Sequence, residues 1–333
     1  MRIGINGFGR IGRAFLRIAL ERDLDVVAVN DVADPATGAH LLVHDSTYGR
    51  LRADAAFDDD VLIVDGRKIL MTTIPDPAGL PWGDLDVDIV IESTGRFRTR
   101  EQAAGHLAAG ARKVLMSAPA KGLVDATIVM GVNEADYDPR THSVVSNASC
   151  TTNCAAPMID VLHRHFGLMR GFLTTVHAYT GDQRLLDAPH KDLRRARAAA
   201  GNIVPTSTGA AKAVGTVIPA VAGRLDAVAL RVPVPTGSLV DLAAILGRAV
   251  GVEEIHAAFA EEAHGRLAGI LRVSHNPLVS SDIVGDPASC VLDAGLTQAA
   301  GDLVKVFGWY DNEWGYAARL ADLTEYVGAR LEG

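Results

Sequence analysis

Three glycines, spaced Gly7-Phe8-Gly9-Arg10-Ile11-Gly12, lie between an apolar β-branched run and an amphipathic stretch, and no other feature constrains the fold as tightly. Arg2–Asn6 reads as a strand. Arg10–Glu21 follows with helical spacing of Ile11, Phe15, Ile18 and Ala19, and Asp25–Asn30 reads as the next strand. A pattern of three glycines is common by itself. Directly after a strand and opening a helix, it marks the phosphate-binding turn of a strand–helix–strand unit. Gly7 permits the tight turn, Gly9 lets the backbone approach a pyrophosphate, and Gly12 lets the helix pack closely. The helix N-terminus offers unpaired N–H groups to the anion. Asp31 ends the second strand, 19 residues past Gly12. A carboxylate there accepts from adenosine ribose hydroxyls and repels a 2′-phosphate, so the expected cofactor is NAD and not NADP. The competing account is a plain glycine turn followed by an N-capping Asp.

The alternation continues through the first half. Val61–Val64, Ile89–Glu92, Lys113–Met116 and Ile128–Gly131 read as strands, with Glu101–Ala109 as a connecting helix. This predicts an α/β fold with a Rossmann-type, doubly wound, mostly parallel sheet over residues 1–147. Past Asn147 the texture changes. Cys150–His165 reads as one helix. Phe172–Val176, Val228–Pro233, Leu239–Leu246 and Leu303–Trp309 then suggest a large mixed or antiparallel sheet in an α+β domain spanning 148–312. Thr180–Thr208 carries almost no strand or helix signal, and a loop that long inside a compact domain tends to be functional. Trp314–Leu331 reads as a closing helix, and 313–333 is expected to pack back on the first domain.

Composition narrows the function. Apolar residues make up 48% and charged residues 22%, the profile of a globular chain. Acidic residues outnumber basic ones by 40 to 32, which argues against a nucleic-acid partner. The N-terminus reads as a strand and not a signal peptide, and no apolar run is long enough to span a bilayer. Cys150, Cys154 and Cys290 are the three cysteines, an odd number that fits no disulfide framework and suits a reducing cytoplasm. No His/Cys/Asp/Glu spacing suggests a metal site.

Cys150 stands where a loop becomes a helix, in Ser149-Cys150-Thr151-Thr152-Asn153-Cys154. The helix dipole there favours a thiolate, so its pKa is expected to fall from about 8.5 toward neutrality. Cys154 lies one turn further on, where the effect fades, and Cys290 reads as a buried inert thiol. His177 ends an apolar strand at the mouth of the long loop, well placed to take a proton in a cleft. The sequence leaves open whether it meets Cys150 or is a packing residue.

Over essentially its whole length the chain resembles the phosphorylating glyceraldehyde-3-phosphate dehydrogenases. The resemblance is carried by Ile5 through Gly12, Ser146 through Asn153, His177 through Gln183, Pro205 through Lys212, and Trp309 through Glu313. It implies that Cys150 is the nucleophile and His177 its base, with glyceraldehyde 3-phosphate and inorganic phosphate as substrates. Thr180, Asp182 and Arg231 resemble the site for the substrate phosphate. Ser149, Thr151, Thr208 and Gly209 resemble the site for the attacking phosphate, with Arg195 adding positive charge. For Arg194 and Arg197 the competing account is a solvated basic loop.

On the cofactor side, Arg10 and Ile11 resemble the pyrophosphate turn, and Thr94, Gly95 and Ser117 resemble contacts along the dinucleotide. Asn312 resembles the residue that holds the nicotinamide carboxamide, with Tyr316 packed nearby. Thr180–Thr208 resembles the family's S-shaped loop, and Pro189 within it resembles NAD-specific members. The family's homotetramer is the implied assembly. The related erythrose-4-phosphate dehydrogenases, which hydrolyse the thioester, lack the Thr180-Gly181 and Thr208-Gly209 pattern. The chain departs from the usual family pattern at Thr236, at Ala317-Ala318, and over Leu271–His275. Those changes leave the catalytic residues in place and raise the alternative of an isozyme tolerant of electrophilic inhibitors.

Overall fold

The computed structural model describes residues 1–331, and counts below refer to them. The chain divides into two compact units. One holds Met1–Ile128, Glu134–Ala148 and the chain from Ala317. The other holds Val129–Asn133 and Ser149–Tyr316.

The first unit is built on a nine-stranded sheet. In spatial order its strands are Ala126–Thr127, Val144–Ser146, Lys113–Met116, Ile89–Glu92, Arg2–Asn6, Asp25–Asn30, Arg67–Thr72, Val61–Val64 and Ala55–Asp58. Neighbours pair parallel as far as Arg67–Thr72, and the last two strands are antiparallel. Strand order reverses at Arg2–Asn6, which has Asp25–Asn30 on one side and Ile89–Glu92 on the other. In open α/β sheets the crevice at the carboxyl ends of strands at such a switch point is where ligands bind. Gly7, Asp31, Ser93 and Thr94 all follow those ends directly.

Two local expectations fail here. Ile128–Gly131 is not a strand: the strand stops at Thr127, and Asn133 Oδ1 accepts from the Val129 N–H at 2.8 Å while Gly131 turns at φ +80°. Glu101–Ala109 is not one helix but two short ones, Arg100–Ala103 and Gly105–Ala108. Gly105 lies against Pro77, which a Cβ would meet at 3.1 Å. The antiparallel hairpin Val61–Thr72 turns on Asp65-Gly66, both at positive φ, so an Asp-Gly hairpin signal was present in the sequence.

The second unit carries a mixed sheet in the order Val204–Ser207, Leu225–Val232, Arg170–Ala178, Ser238–Ile245, Leu303–Tyr310, Cys290–Asp293, Leu271–Ser274. Gln298–Ala300 adds to Leu303–Tyr310. Arg170–Ala178 runs parallel to Leu225–Val232 and antiparallel to Ser238–Ile245. The period of two puts Leu173, Thr175 and His177 on the buried face and Phe172 on the exposed one. The helix Cys150–Phe166 packs near this sheet, against Ser238–Ile245 and Leu303–Tyr310. Thr180–Thr208 is mostly irregular, but Val204–Ser207 within it is a strand. Pro205 hid it. An edge strand tolerates a residue without an N–H. No helix among the described residues is long and apolar enough to cross a membrane.

Candidate active site

In the first unit a groove of about 190 Å³ opens at the switch point, lined among others by Asn6, Gly7, Gly9, Asn30, Asp31 and Thr94. The three glycines meet different constraints. Gly7 turns at φ +100°, and a Cβ there would lie 2.5 Å from the Thr94 nitrogen. A Cβ on Gly12 would lie 2.1 Å from the Gly7 carbonyl oxygen. Gly9 has φ −72° and nothing within 4 Å of its hypothetical Cβ. The protein itself does not require glycine at position 9, yet that position lines the groove. Position 9 is therefore open to close approach from the groove, and the helix N-terminus there suits an anion.

Asp31 accepts from the Phe8 N–H at 2.6 Å and from the Ala33 N–H at 2.9 Å, which fixes its carboxylate at the groove edge. The Arg10 side chain turns to Asp45 and lies over the Tyr48 ring. Thr94 lines the groove, and Gly95 follows it at φ +68°. The Ser117 N–H bonds the Glu92 carbonyl at 2.9 Å, at the end of the neighbouring strand. Ile11 lies in the first turn of the helix Arg10–Glu21.

In the second unit Cys150 is the first residue of the helix Cys150–Phe166, capped by Ser149, whose side chain accepts from the Thr152 N–H at 3.1 Å. The preceding residue, Ala148, is held in the left-handed region at φ +55°, uncommon for a residue with a Cβ. Cys150 Sγ lies 3.4 Å from His177 Nε2. His177 Nδ1 lies 2.7 Å from the Ala178 carbonyl oxygen. The carbonyl can only accept from Nδ1, whereas the Arg231 guanidinium at the same nitrogen can only donate, so the two contacts call for opposite tautomers; with the proton on Nδ1, Nε2 faces the thiol as an acceptor. Arg231 reaches the same carbonyl through Nη1 at 3.0 Å and crowds Nδ1 at 2.6 Å. The Arg231 Nε is buried without a partner.

The electrostatics correct one expectation. Burial pushes the Cys150 thiol up, and this outweighs the Arg231 charge and the backbone N–H groups of Thr151 and Cys150 that pull it down. Burial and then the Arg231 charge push the His177 imidazole down to about 3. The helix N-terminus alone therefore does not create a free thiolate. A proton moving from Cys150 to His177 conserves charge and leaves the two ions adjacent, so the groups act as one proton-sharing pair.

Tyr310 is a site residue to which the sequence assigned no role. Its hydroxyl bonds Thr151 at 2.9 Å and Thr175 at 2.8 Å, and its ring stands edge-on to His177 at 5.9 Å. Thr151 Oγ1 thus shares one hydrogen bond with Tyr310 beside the thiol pair. Thr180 donates to Asp182, which Arg195 grips at 2.5 Å while its Nε bonds Thr206 at 2.9 Å. Burial pushes Asp182 up, but the Thr180 hydroxyl and the charges of Arg195 and Arg231 hold it below its ordinary value. Thr208 Oγ1 accepts from the Ala210 N–H at 3.2 Å, and Gly209 caps the helix Ala210–Val217. Arg194 and Arg197 are exposed, with Arg197 paired to Asp187 at 2.9 Å.

Asn312 Oδ1 accepts from Ser238 Oγ at 2.7 Å, and Thr236 Oγ1, which donates to Asp311 Oδ1 at 2.8 Å, lies 3.3 Å from the same amide oxygen. One departure from the family pattern, Thr236, thus touches this residue directly. Tyr316 is buried near the start of the helix Trp314–Gly328.

Comparison with known families decides what this arrangement belongs to. The model described as "Glyceraldehyde 3-phosphate dehydrogenase, NAD binding domain" matches residues 1–100, and that described as "Glyceraldehyde 3-phosphate dehydrogenase, C-terminal domain" matches 149–312. The chain belongs to the glyceraldehyde-3-phosphate dehydrogenase family. It is 58% identical over 335 residues to the glyceraldehyde-3-phosphate dehydrogenase of Streptomyces coelicolor, covering 99% of each chain. It is 56% identical to glyceraldehyde-3-phosphate dehydrogenase 2 of Streptomyces avermitilis and 55% identical to the Geobacillus stearothermophilus protein, again over 99% of each. The groove of the first unit falls in the part of this family named for NAD, and the thiol pair falls in its C-terminal domain.

Proposed function

We propose that the chain oxidises glyceraldehyde 3-phosphate to 1,3-bisphosphoglycerate, with NAD as hydride acceptor, inorganic phosphate as co-substrate and a thioester on Cys150 as intermediate. The observation that carries this reading is the 3.4 Å approach of Cys150 Sγ to Nε2 of His177, with a guanidinium behind the ring. Cys150 attacks the aldehyde carbon while Nε2 takes the thiol proton and hands it on to the aldehyde oxygen, giving a hemithioacetal and leaving the imidazole neutral again. The Cys150 backbone N–H and the His177 side chain face the oxygen that gains charge. Bound NAD supplies the hydride acceptor. His177 then takes the hydroxyl proton as the thioester carbonyl forms. A phosphate oxygen attacks that carbonyl, and Cys150 leaves.

Arg231 with Thr180 suits the substrate phosphate, since the guanidinium carries a buried, unpartnered N–H. An anion there offsets the charge that depresses His177, so substrate binding itself favours proton transfer from Cys150. Ser149, Thr151, Thr208, Gly209 and Arg195 suit the attacking phosphate, with the Thr151 hydroxyl oriented by Tyr310. A homotetramer is supported by Phe172, Val228 and Leu303, which stand exposed on the sheet of the second unit. Three free thiols suit a cytoplasmic setting.

NAD reduction with glyceraldehyde 3-phosphate, with and without inorganic phosphate, tests the reading in wild type and Cys150→Ser. Phosphate-dependent turnover that vanishes in the variant is expected. Turnover indifferent to phosphate would mean that water cleaves the thioester, and the second anion site would then be wrong.

A further inference from the structure

Behind the groove of the first unit lies a polar chain that no step above uses. Trp82, His106, Glu92, Asn6 and Asn30 are each at most 2% exposed. The Trp82 indole N–H donates to His106 Nδ1 at 3.0 Å. An indole nitrogen can only donate, so Nδ1 is an acceptor and the His106 proton sits on Nε2. That nitrogen lies 3.1 Å from Glu92 Oε2 and donates to it. Asn6 Nδ2 donates to the same oxygen at 2.6 Å, which orients its amide so that Oδ1 accepts from Asn30 Nδ2 at 2.7 Å. Asn30 Oδ1 accepts from Thr72 Oγ1 and the Ile74 N–H, both at 2.8 Å. Glu92 Oε1 receives the Thr94 N–H at 2.8 Å and the Thr94 hydroxyl at 2.5 Å.

Each orientation in this series is dictated by the one before it, from a group that only donates to a carboxylate that only accepts. The far ends of the series, Asn6, Asn30 and Thr94, are lining residues of the groove. Phe97, which also lines it, stands edge-on to the His106 ring at 6.4 Å. Both His106 and Trp82 lie off the groove surface, so neither is itself among its lining residues.

We propose that Glu92, His106 and Trp82 are positioning residues for the dinucleotide, holding the polar atoms of Asn6, Asn30 and Thr94 in the arrangement that binds NAD. A buried polar network with every member satisfied is rigid, and a rigid site loses less on binding than one that must be ordered. The inference rests on the assignment of this groove to NAD.

Calorimetric titration of NAD into the whole protein tests it, with His106→Leu beside His106→Gln. Leu offers neither donor nor acceptor. The Gln amide offers one of each and can bridge Trp82 to Glu92. NAD binding is expected to weaken about tenfold or more in His106→Leu and to stay within about threefold of wild type in His106→Gln. A role confined to stability would lower the melting temperature of the free protein and leave the affinity alone. Equal affinity in His106→Leu and wild type would overturn the proposal, as would equal loss in both variants. Should His106→Leu not fold, Trp82→Phe removes the indole N–H together with part of the bicyclic ring, and an unchanged affinity there would overturn it too. Failure of the wild-type protein to bind NAD would instead remove the assignment of the groove.

Discussion

Arg231 stands in register with His177 across two parallel strands, its Nη1 2.6 Å from the imidazole Nδ1. Residues 54 apart in sequence become nearest neighbours because Arg170–Ala178 and Leu225–Val232 pair without a slip. The guanidinium shares the Ala178 carbonyl with the ring and places a positive charge beside it. It therefore both orients the base and lowers its proton affinity, second only to burial.

Replacing Arg231 by Leu should lower kcat/KM for glyceraldehyde 3-phosphate by about 10²–10³-fold, since a charge-assisted contact to the substrate phosphate is lost. It should at the same time raise the pKa of His177, because one of the two causes depressing it is gone. Kinetics and the imidazole NMR titration check the two halves separately. A His177 titration that stays put would show that the close contact has no electrostatic effect.

The depressed His177 pKa also makes stability depend on pH. The unfolded chain takes up this proton near pH 6.5, whereas the folded protein resists it down to about pH 3. Stability is therefore fully present above pH 6.5 and declines as pH falls from there toward 3, by up to about 1.4 kcal/mol per pH unit for one proton. His177→Asn should lose that part of the slope in urea unfolding at pH 7, 6 and 5. The same variant should slow alkylation of Cys150 by iodoacetamide at pH 7 by about tenfold or more, since the thiol loses its proton acceptor.

Gly9→Ala and Gly12→Ala should separate a ligand constraint from a folding one. Alanine at position 9 meets open space and an ordinary φ, so the unfolding free energy should change by less than about 1 kcal/mol while NAD binding weakens. Alanine at position 12 collides with the backbone at Gly7 and should cost about 1–3 kcal/mol of stability. Denaturation beside NAD titration distinguishes them. Equal loss of stability in both variants would remove the case for a close ligand approach at Gly9.

Tyr310→Phe should cost about 1–3 kcal/mol, because the hydroxyls of Thr151 and Thr175 are left without their shared partner in a buried setting. Urea midpoints measure it. No change would mean that both hydroxyls find other partners.

Local pattern alone determined a good deal of this protein. Gly7, Gly9 and Gly12 declared the tight turn between the first strand and the first helix because backbone sterics act over a few neighbouring residues. The strands Arg2–Asn6 and Asp25–Asn30 and the helix Arg10–Glu21 were legible because periodicity is a local property. The sequence placed Cys150 at a helix start for the same reason. It missed the strand Val204–Ser207, where Pro205 is a breaker by propensity and harmless only at a sheet edge. It overstated the helix dipole at Cys150, since burial is set by what the rest of the chain brings over the thiol. The His177–Arg231 contact, the hold of Tyr310 on Thr151 and the bracing of Asn6 by Glu92 join residues 54, 159 and 86 positions apart. Strand register and core packing decide such pairs, and both are properties of the assembled sheets that no stretch of the chain contains by itself.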